Sequence, residues 1–260
     1  QSIYAEMIDQ KLSSTTVVQL HRILHKALNT AVKQGILKRN VTDATVPPRI
    51  EKKPIEVWDD ETRIKFLELA KDMQYGDFYH MAILTGMRRG ELAGLKWSEV
   101  DLVNGRIQVI QTLGRVTGKK LVVGQPKTTR SKRSVALSPD AINLLHEIRG
   151  KQITQQTEAA EGWAVTGYVF THPDGTCIDP NLVTRAFTKA VKKAGLSHLT
   201  IHGLRHTHAT MLLEAGINPK VVSERLGHAS IATTMDIYSH VLPDIQDQAA
   251  LAIDRKLSGK

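Results

Sequence analysis

From His202 onward apolar residues recur at helical spacing, yet one helix cannot run through the stretch. Gly216 and the Leu226-Gly227 step are each a helix stop. The end of the chain therefore reads as three short helices, roughly 202–215, 218–226 and 230–239, with a polar-apolar tail from 243 to 258 that can form one more. The same stretch concentrates the polar chemistry. Residues 202–240 hold five of the eleven histidines, along with Arg205 and Tyr238.

The rest of the chain divides at Pro47-Pro48, which cannot continue a helix and stiffens the backbone. Before it, residues 1–12 read as a short amphipathic helix. From Val17 to Leu37 the apolar set Val17, Leu20, Leu24, Leu28, Ala31 and Val32 recurs at steps of three and four. Arg22, Lys26, Asn29 and Lys33 share the opposite face. Two readings of that stripe stay open, a track for phosphates and a plain solvated face. Arg49, Lys52 and Lys53 follow the prolines. The expected organisation is a helical piece over 1–48, a basic linker over 49–56, a larger domain over 57–242 and a tail over 243–260.

In the larger piece Asp59 or Asp60 caps a helix carrying Ile64, Phe66, Leu67 and Leu69. A second helix, from about Phe78, stops at Thr85-Gly86, and Arg88 to Leu95 reads as a third. Residues 106–112 alternate as a strand does. Further strands are expected at 121–123, 133–137 and 168–170. Between the first two of these lies a strongly basic hairpin tip, Gln125 to Arg133, with Lys127, Arg130 and Lys132. Helices are expected over 139–157 and 179–194. Trp58, Trp97 and Trp163 read as packing anchors. The fold class is mostly α with a small antiparallel β-sheet, an α+β chain.

Composition bears on partners. The formal net charge is +9 with a sequence pI near 9.6, so a polyanion is the expected ligand. About half of that charge falls before residue 54. No apolar run approaches the roughly 18 residues of a spanning helix, so no membrane partner is expected. The single cysteine, Cys177, excludes an internal disulfide framework and fits a reducing cytoplasm. A start at Gln1 rather than Met suggests a piece of a longer protein.

His202 and Arg205 stand at i, i+3 and share a helix face, so both can reach one anion. Arg205 can grip two phosphate oxygens with its planar fork. His202 and His206, at i, i+4, are also half of a zinc site, although no HExxH pattern or nearby carboxylate completes it. His206 and His208 read as structural residues. Tyr238 by itself is a half-buried helix tyrosine. As a nucleophile it would need help, because a phenol ordinarily titrates near pH 10. Guanidinium groups at a phosphate and a histidine to take its proton would supply that help.

His202-x-x-Arg205, Leu226-Gly227-His228 and Tyr238 ten residues later resemble the signature of the tyrosine recombinase (integrase) family. Leu84-Thr85-Gly86-Met87-Arg88-Arg89-Gly90-Glu91-Leu92 resembles its first arginine box. Pro126-Lys127-Thr128, before the strand Arg133-Ser134-Val135-Ala136-Leu137, resembles its hairpin lysine. The resemblance covers 17–240, and the N-terminal piece is similar to the core-binding domain of the phage and conjugative-transposon branch.

That resemblance implies a DNA-cleaving and rejoining enzyme acting through a 3′-phosphotyrosyl intermediate, with no metal, ATP or other cofactor. Tyr238 would be the nucleophile. Arg88 and Arg205 would hold the non-bridging oxygens, and Lys127 would protonate the leaving oxygen. His202 would take the tyrosine proton or bond the phosphate, and His228 would donate to a non-bridging oxygen. Glu91 would orient Arg88 or cap its helix. Arg22, Lys26, Lys33, Arg49, Lys52, Lys53, Arg89, Arg130 and Lys132 would contact the DNA backbone. The implied partners are double-stranded attachment or core sites, a homotetramer on two duplexes, and accessory DNA-bending or directionality proteins. The implied location is the bacterial cytoplasm at the nucleoid. A type IB topoisomerase-like relaxase and a catalytically silent DNA-binding module are the alternatives.

Overall fold

The computed structural model describes residues 2–50, 56–115, 120–124 and 132–241, and within the tail residues 250, 253, 254, 257 and 258. The chain divides into two units, Gln1–Pro54 and Ile55–Lys260.

In the first unit, helix α1 spans Ser2–Asp9 and α2 Ser14–Lys33. Ser13 caps α2 by accepting the Thr16 N–H at 3.2 Å. Tyr4 of α1 is buried and its hydroxyl bonds His21 Nδ1 at 2.8 Å. After α2 the chain returns through Asn40. Its side chain accepts from Thr42 N and donates to His25 O and Asn29 Oδ1, which pins a short 3₁₀ turn, Val41–Ala44, to the helix. Asn29 is thus tied to Asn40 rather than free on a basic face. Val17 and Val18 are buried, but Leu24 remains 36% exposed. The apolar stripe of α2 is only part covered within this unit. Arg22, Lys26, Lys33 and Arg49 are exposed, and Lys52 and Lys53 lie outside the described residues.

The second unit is built round helix α4, Gly76–Thr85, which buries Phe78, Tyr79, Met81, Ala82 and Ile83 and so is apolar on most sides. Helices α3 (Asp60–Ala70), α6 (Pro139–Ala159) and α8 (Ile201–Glu214) pack on it. Asp59, extended at φ −69° and ψ 174°, caps α3 through the Thr62 N–H. Phe66, Tyr79 and Phe187 interlock with Trp58, ring centroids 4.7 to 5.9 Å apart, and the Trp58 indole N–H donates to Ser197 O. Offset and edge-on rings in a dry core add to their area burial. Of the apolar residues on α3, Ile64 and Leu69 are 58% and 41% exposed.

The strands are β1 (Val100–Asp101), β2 (Arg106–Val109), β3 (Thr112–Arg115), β4 (Leu121–Gly124) and β5 (Arg133–Ala136). They form two antiparallel sheets, β1-β2-β5 and β3-β4. Strands 121–124 and 133–136 are therefore not partners across a hairpin. β4 pairs with β3 and β5 pairs with β2, Ile107 opposite Val135. The basic segment 125–131 between them lies outside the described residues. Residues 168–170, expected as a strand, make only an isolated bridge from Tyr168 to Lys96.

The remaining helices are α5 (Arg89–Ala93), α7 (Pro180–Lys193), α9 (Pro219–Leu226) and α10 (Ile231–Val241). The fold is mostly α with small antiparallel sheets, as expected. The expectation for the tail touches only a few described residues, of which Ile253 and Leu257 are exposed. Among the described residues no helix is long and apolar enough to cross a membrane.

Candidate active site

Two glycines turn helix ends toward one place. Gly86 closes α4 at φ 63° and Gly227 closes α9 at φ 65°, a region that glycine enters without a steric penalty. At α9 the Gly227 N–H bonds Glu224 O and the His228 N–H bonds Ser223 O, both at 3.0 Å. This paired closure is a Schellman motif, and it fixes His228 directly beyond the helix. The last carbonyls of a helix have no partner within it. Here they are taken up by side chains that arrive from far along the sequence.

Arg205, on α8, is 2% exposed. Its Nη1 donates to Gly86 O at 2.7 Å and its Nη2 to Leu226 O at 2.6 Å. Arg88 stands at the N-cap of α5. Its Nη2 donates to Gly227 O at 2.9 Å and its Nη1 to Glu91 Oε1 at 2.7 Å. The two guanidinium groups thus hang from consecutive carbonyls, Leu226 and Gly227. Each spends two of its five N–H donors on its own orientation, and the negative end of the α9 dipole favours both. The other three donors of each have no partner among the described residues.

Glu91 organises the approach from below. It accepts the Arg88 N–H at 2.9 Å, which caps α5, as well as the Arg88 side chain. It also accepts Arg133 Nη1 at 3.2 Å and Nη2 at 2.9 Å. Burial by itself would raise this carboxyl, but the Arg133 and Arg88 bonds override it and hold it at about 2. Glu91 is therefore an anion at any working pH.

The histidines surround the same cluster. His228 bonds Thr234 Oγ1 through Nδ1 at 2.8 Å, leaving Nε2 for a ligand. Burial, then Arg205 and Arg88, hold its imidazole at about 4. His202 stands on the first turn of α8, its ring edge-on to His206 at 4.9 Å. It too is pushed down, first by desolvation and then by His206, Arg205 and Arg88, although the residue is exposed. Both rings are neutral at pH 7 and can give or take a proton. His208, 5% exposed, donates from Nδ1 to Ile83 O at 2.7 Å and accepts Arg225 Nε at Nε2. It is a structural pillar, and His206 is half-buried against His202. Arg88, Arg133 and Arg205 thus gather round Glu91, and Arg225 stands beyond Arg133 against His208. Arg205 is pushed below its ordinary value first by burial and then by Arg88. Such a site fits a phosphate.

The structure brings Arg88, His202, Arg205 and His228 together. Tyr238 lies on α10, the helix that also carries Thr234, and its side chain is outside the described residues, as are Lys127 and Arg130. Arg89 donates to Thr184 Oγ1 of α7 at 2.5 Å, and Lys132 is exposed. Among the described residues no group of histidine, cysteine and carboxylate side chains is arranged to hold a metal. Sequence reasoning missed Arg133 and Arg225. Arg133 sits two residues before Val135 on the buried face of β5, so strand alternation marked it as an inward-facing charge. A cavity of about 290 Å³ lined by Tyr75, Phe78, Ile148, Gln152 and His172 shares no residue with this cluster.

The phage integrase family model matches residues 61–244. A XerC-like tyrosine recombinase of Caldanaerobacter subterraneus is 33% identical over 94% of this chain and 66% of its own length. The ICEBs1 integrase of Bacillus subtilis is 30% identical over 95% of this chain and 67% of its own. The chain thus spans about two thirds of the length of these relatives. Among solved structures, the Tn1549 transposon integrase in complex with transposon right end DNA superposes with a TM-score of 0.80 at 25% identity, covering 97% of this chain and 82% of that one. A lambda integrase dimer on a core site, at 21% identity and a TM-score of 0.67, shares the fold. The chain belongs to the phage integrase family, the tyrosine recombinases.

Proposed function

We propose that this chain cleaves and rejoins DNA at specific sites to integrate or excise a mobile element. The observation that carries the reading is the pair of guanidinium groups, Arg88 and Arg205, hung from Gly227 O and Leu226 O with donors to spare beside neutral His202 and His228. The Tyr238 oxygen attacks the scissile phosphorus in line. A tyrosine–phosphorus bond forms and the bond to the 5′-oxygen breaks. Arg88 and Arg205 take the charge that develops on the non-bridging oxygens, where oriented donors act most strongly. His228 adds a hydrogen bond from Nε2. His202 takes the phenol proton, and a bound phosphate raises its affinity for that proton by placing negative charge beside it. Lys127 gives a proton to the leaving 5′-oxygen. The covalent link keeps the phosphodiester energy, so rejoining needs no ATP.

Residues 1–48 act as the core-binding domain and residues 57–242 as the catalytic domain, joined by the basic stretch 49–56. Together they grip double-stranded DNA. Arg22, Lys26, Lys33, Arg49, Lys52, Lys53, Arg89, Arg130 and Lys132 face the backbone. The chain is monomeric or weakly associated without DNA and acts as four protomers on two duplexes, with the tail 243–260 docking on a neighbour and accessory DNA-bending or directionality proteins assisting, in the cytoplasm. The Tn1549 integrase, solved on its own transposon end, supports the DNA partner. A nicked duplex carrying a candidate attachment site tests the chemistry. A covalent adduct should form with the wild type and vanish with Tyr238→Phe. No adduct from the wild type on any attachment-site duplex would sink the reading.

A further inference from the structure

Arg133 was not among the residues singled out for chemistry, yet it joins Glu91 to the end of α9. It is 6% exposed. Its Nη1 and Nη2 grip both oxygens of Glu91, the carboxylate that also holds Arg88. Its Nε donates at 2.6 Å to Arg225 O, in the last turn of α9. Arg225 returns the contact, since its Nη1 donates to Ala136 O of β5 at 2.9 Å. β5 and α9 are therefore clasped in both directions. α9 is the helix whose end carries the carbonyls that orient Arg88 and Arg205.

We propose that Arg133 is a positioning residue for strand cleavage, holding Arg88 in its phosphate-gripping pose through the shared Glu91 carboxylate and anchoring the end of α9. The proposal rests on the cleavage chemistry given above. Gly227 O fixes one N–H of the Arg88 fork and Glu91 Oε1 another, but without Arg133 the carboxylate itself is held only by the Arg88 backbone N–H and can turn. With Arg133 bidentate on the other side, the carboxylate plane is fixed, and the Arg88 fork with it. A buried triad of this kind is weak evidence for stability. Its effect should be on the placement of Arg88, where displacements of about an ångström cost on the order of 100-fold in rate.

Single-turnover adduct formation on nicked duplexes tests this, with either a phosphodiester or a methylphosphonate at the scissile position. The methylphosphonate lacks one of the charges that Arg88 neutralises, so it needs Arg88 less. Arg133→Met should lose about 100-fold on the phosphodiester and regain most of that loss on the methylphosphonate, as Arg88→Ala should. The double variant Arg88→Ala/Arg133→Met should be no slower than Arg88→Ala within about threefold, because both act on one group. Losses that multiply, or that are equal on the two substrates, or no loss in Arg133→Met, would overturn the proposal. Where Arg133→Met fails to fold around the stranded carboxylate, Glu91→Gln/Arg133→Met removes both partners and should show the same preference for the methylphosphonate. Absence of that preference counts against the proposal. A wild type that forms no adduct would instead remove the cleavage reading itself, so the two failures are distinguishable.

Discussion

His208 allows the electrostatic frame to be tested without DNA. Its two nitrogens play opposite parts, Nδ1 donating to Ile83 O and Nε2 accepting from Arg225. Both bonds require the neutral ring, since a second proton would set an N–H on Nε2 against the Arg225 N–H. Burial, and then Arg225, hold this imidazole at about 4. In the unfolded chain it returns to its ordinary value near 6.5. Between those values the unfolded state binds more protons, so stability is fully present above about pH 6.5 and falls as pH drops toward 4. Working the linkage from pH 7 to pH 5 gives a loss of about 2 kcal/mol from this residue alone. His208→Gln keeps a donor for Ile83 O and an acceptor for Arg225 but cannot titrate. Urea unfolding can be followed by tryptophan fluorescence, because Trp58, Trp97 and Trp163 all lie in the second unit. His202, His206 and His228 are depressed in the same direction, and their share cancels between the two proteins. The wild type should lose about 2 kcal/mol more than His208→Gln over this range. Equal losses would refute the neutral, doubly bonded ring.

Gly86→Ala should destabilise by more than about 2 kcal/mol in a denaturant titration, because φ 63° is unfavourable for alanine and a Cβ there would meet the His208 and Leu226 side chains at 2.5 and 2.6 Å. Lys127→Ala should slow cleavage of an ordinary nicked duplex and recover on one with a 5′-thiol leaving group. The thiol needs no proton to depart, so absence of rescue would remove Lys127 as the acid. DNA affinity should fall steeply with salt, and Lys26→Ala should lower the slope of log K against log salt by about one. An unchanged slope would return the α2 stripe to a solvated face.

The helices were readable in the sequence because their stops are local. Gly86, Gly195, Gly216 and Gly227 all adopt positive φ, and helix ends follow from them. Strand pairing was not readable, because it is decided by partners and not by alternation. Residues 121–124 and 133–136 both looked like halves of one hairpin, yet β5 joins β2, where Ile107 and Val135 bury their side chains together. Arg205 was marked out by its spacing from His202, and Arg88 only through the family resemblance. What holds them was not. Gly86, Leu226 and Gly227 contribute backbone carbonyls, which carry no side-chain signature, and Arg133 and Arg225 find their partners 17 to 141 residues away.

Those carbonyls explain how a short run of surface-like helices can hold so much positive charge. The closing turns of α4 and α9 offer Ile83, Leu84, Gly86, Arg225, Leu226 and Gly227 oxygens, and His208, Arg225, Arg205, Arg133 and Arg88 take them. Each bond satisfies an acceptor that the helix could not, and each fixes the direction of a donor group. Dipoles neutralise less than carboxylates do. The frame therefore orients the guanidinium groups without cancelling their charge, and Glu91 leaves Arg88, Arg133 and Arg205 with a net charge of about +2. That surplus opposes folding of the free protein, and a bound phosphodiester relieves it. Sulfate or pyrophosphate should for the same reason raise the unfolding midpoint of the wild type, by mass action on the folded state, and raise it less in Arg205→Ala. Equal shifts in the two proteins would place the anion elsewhere.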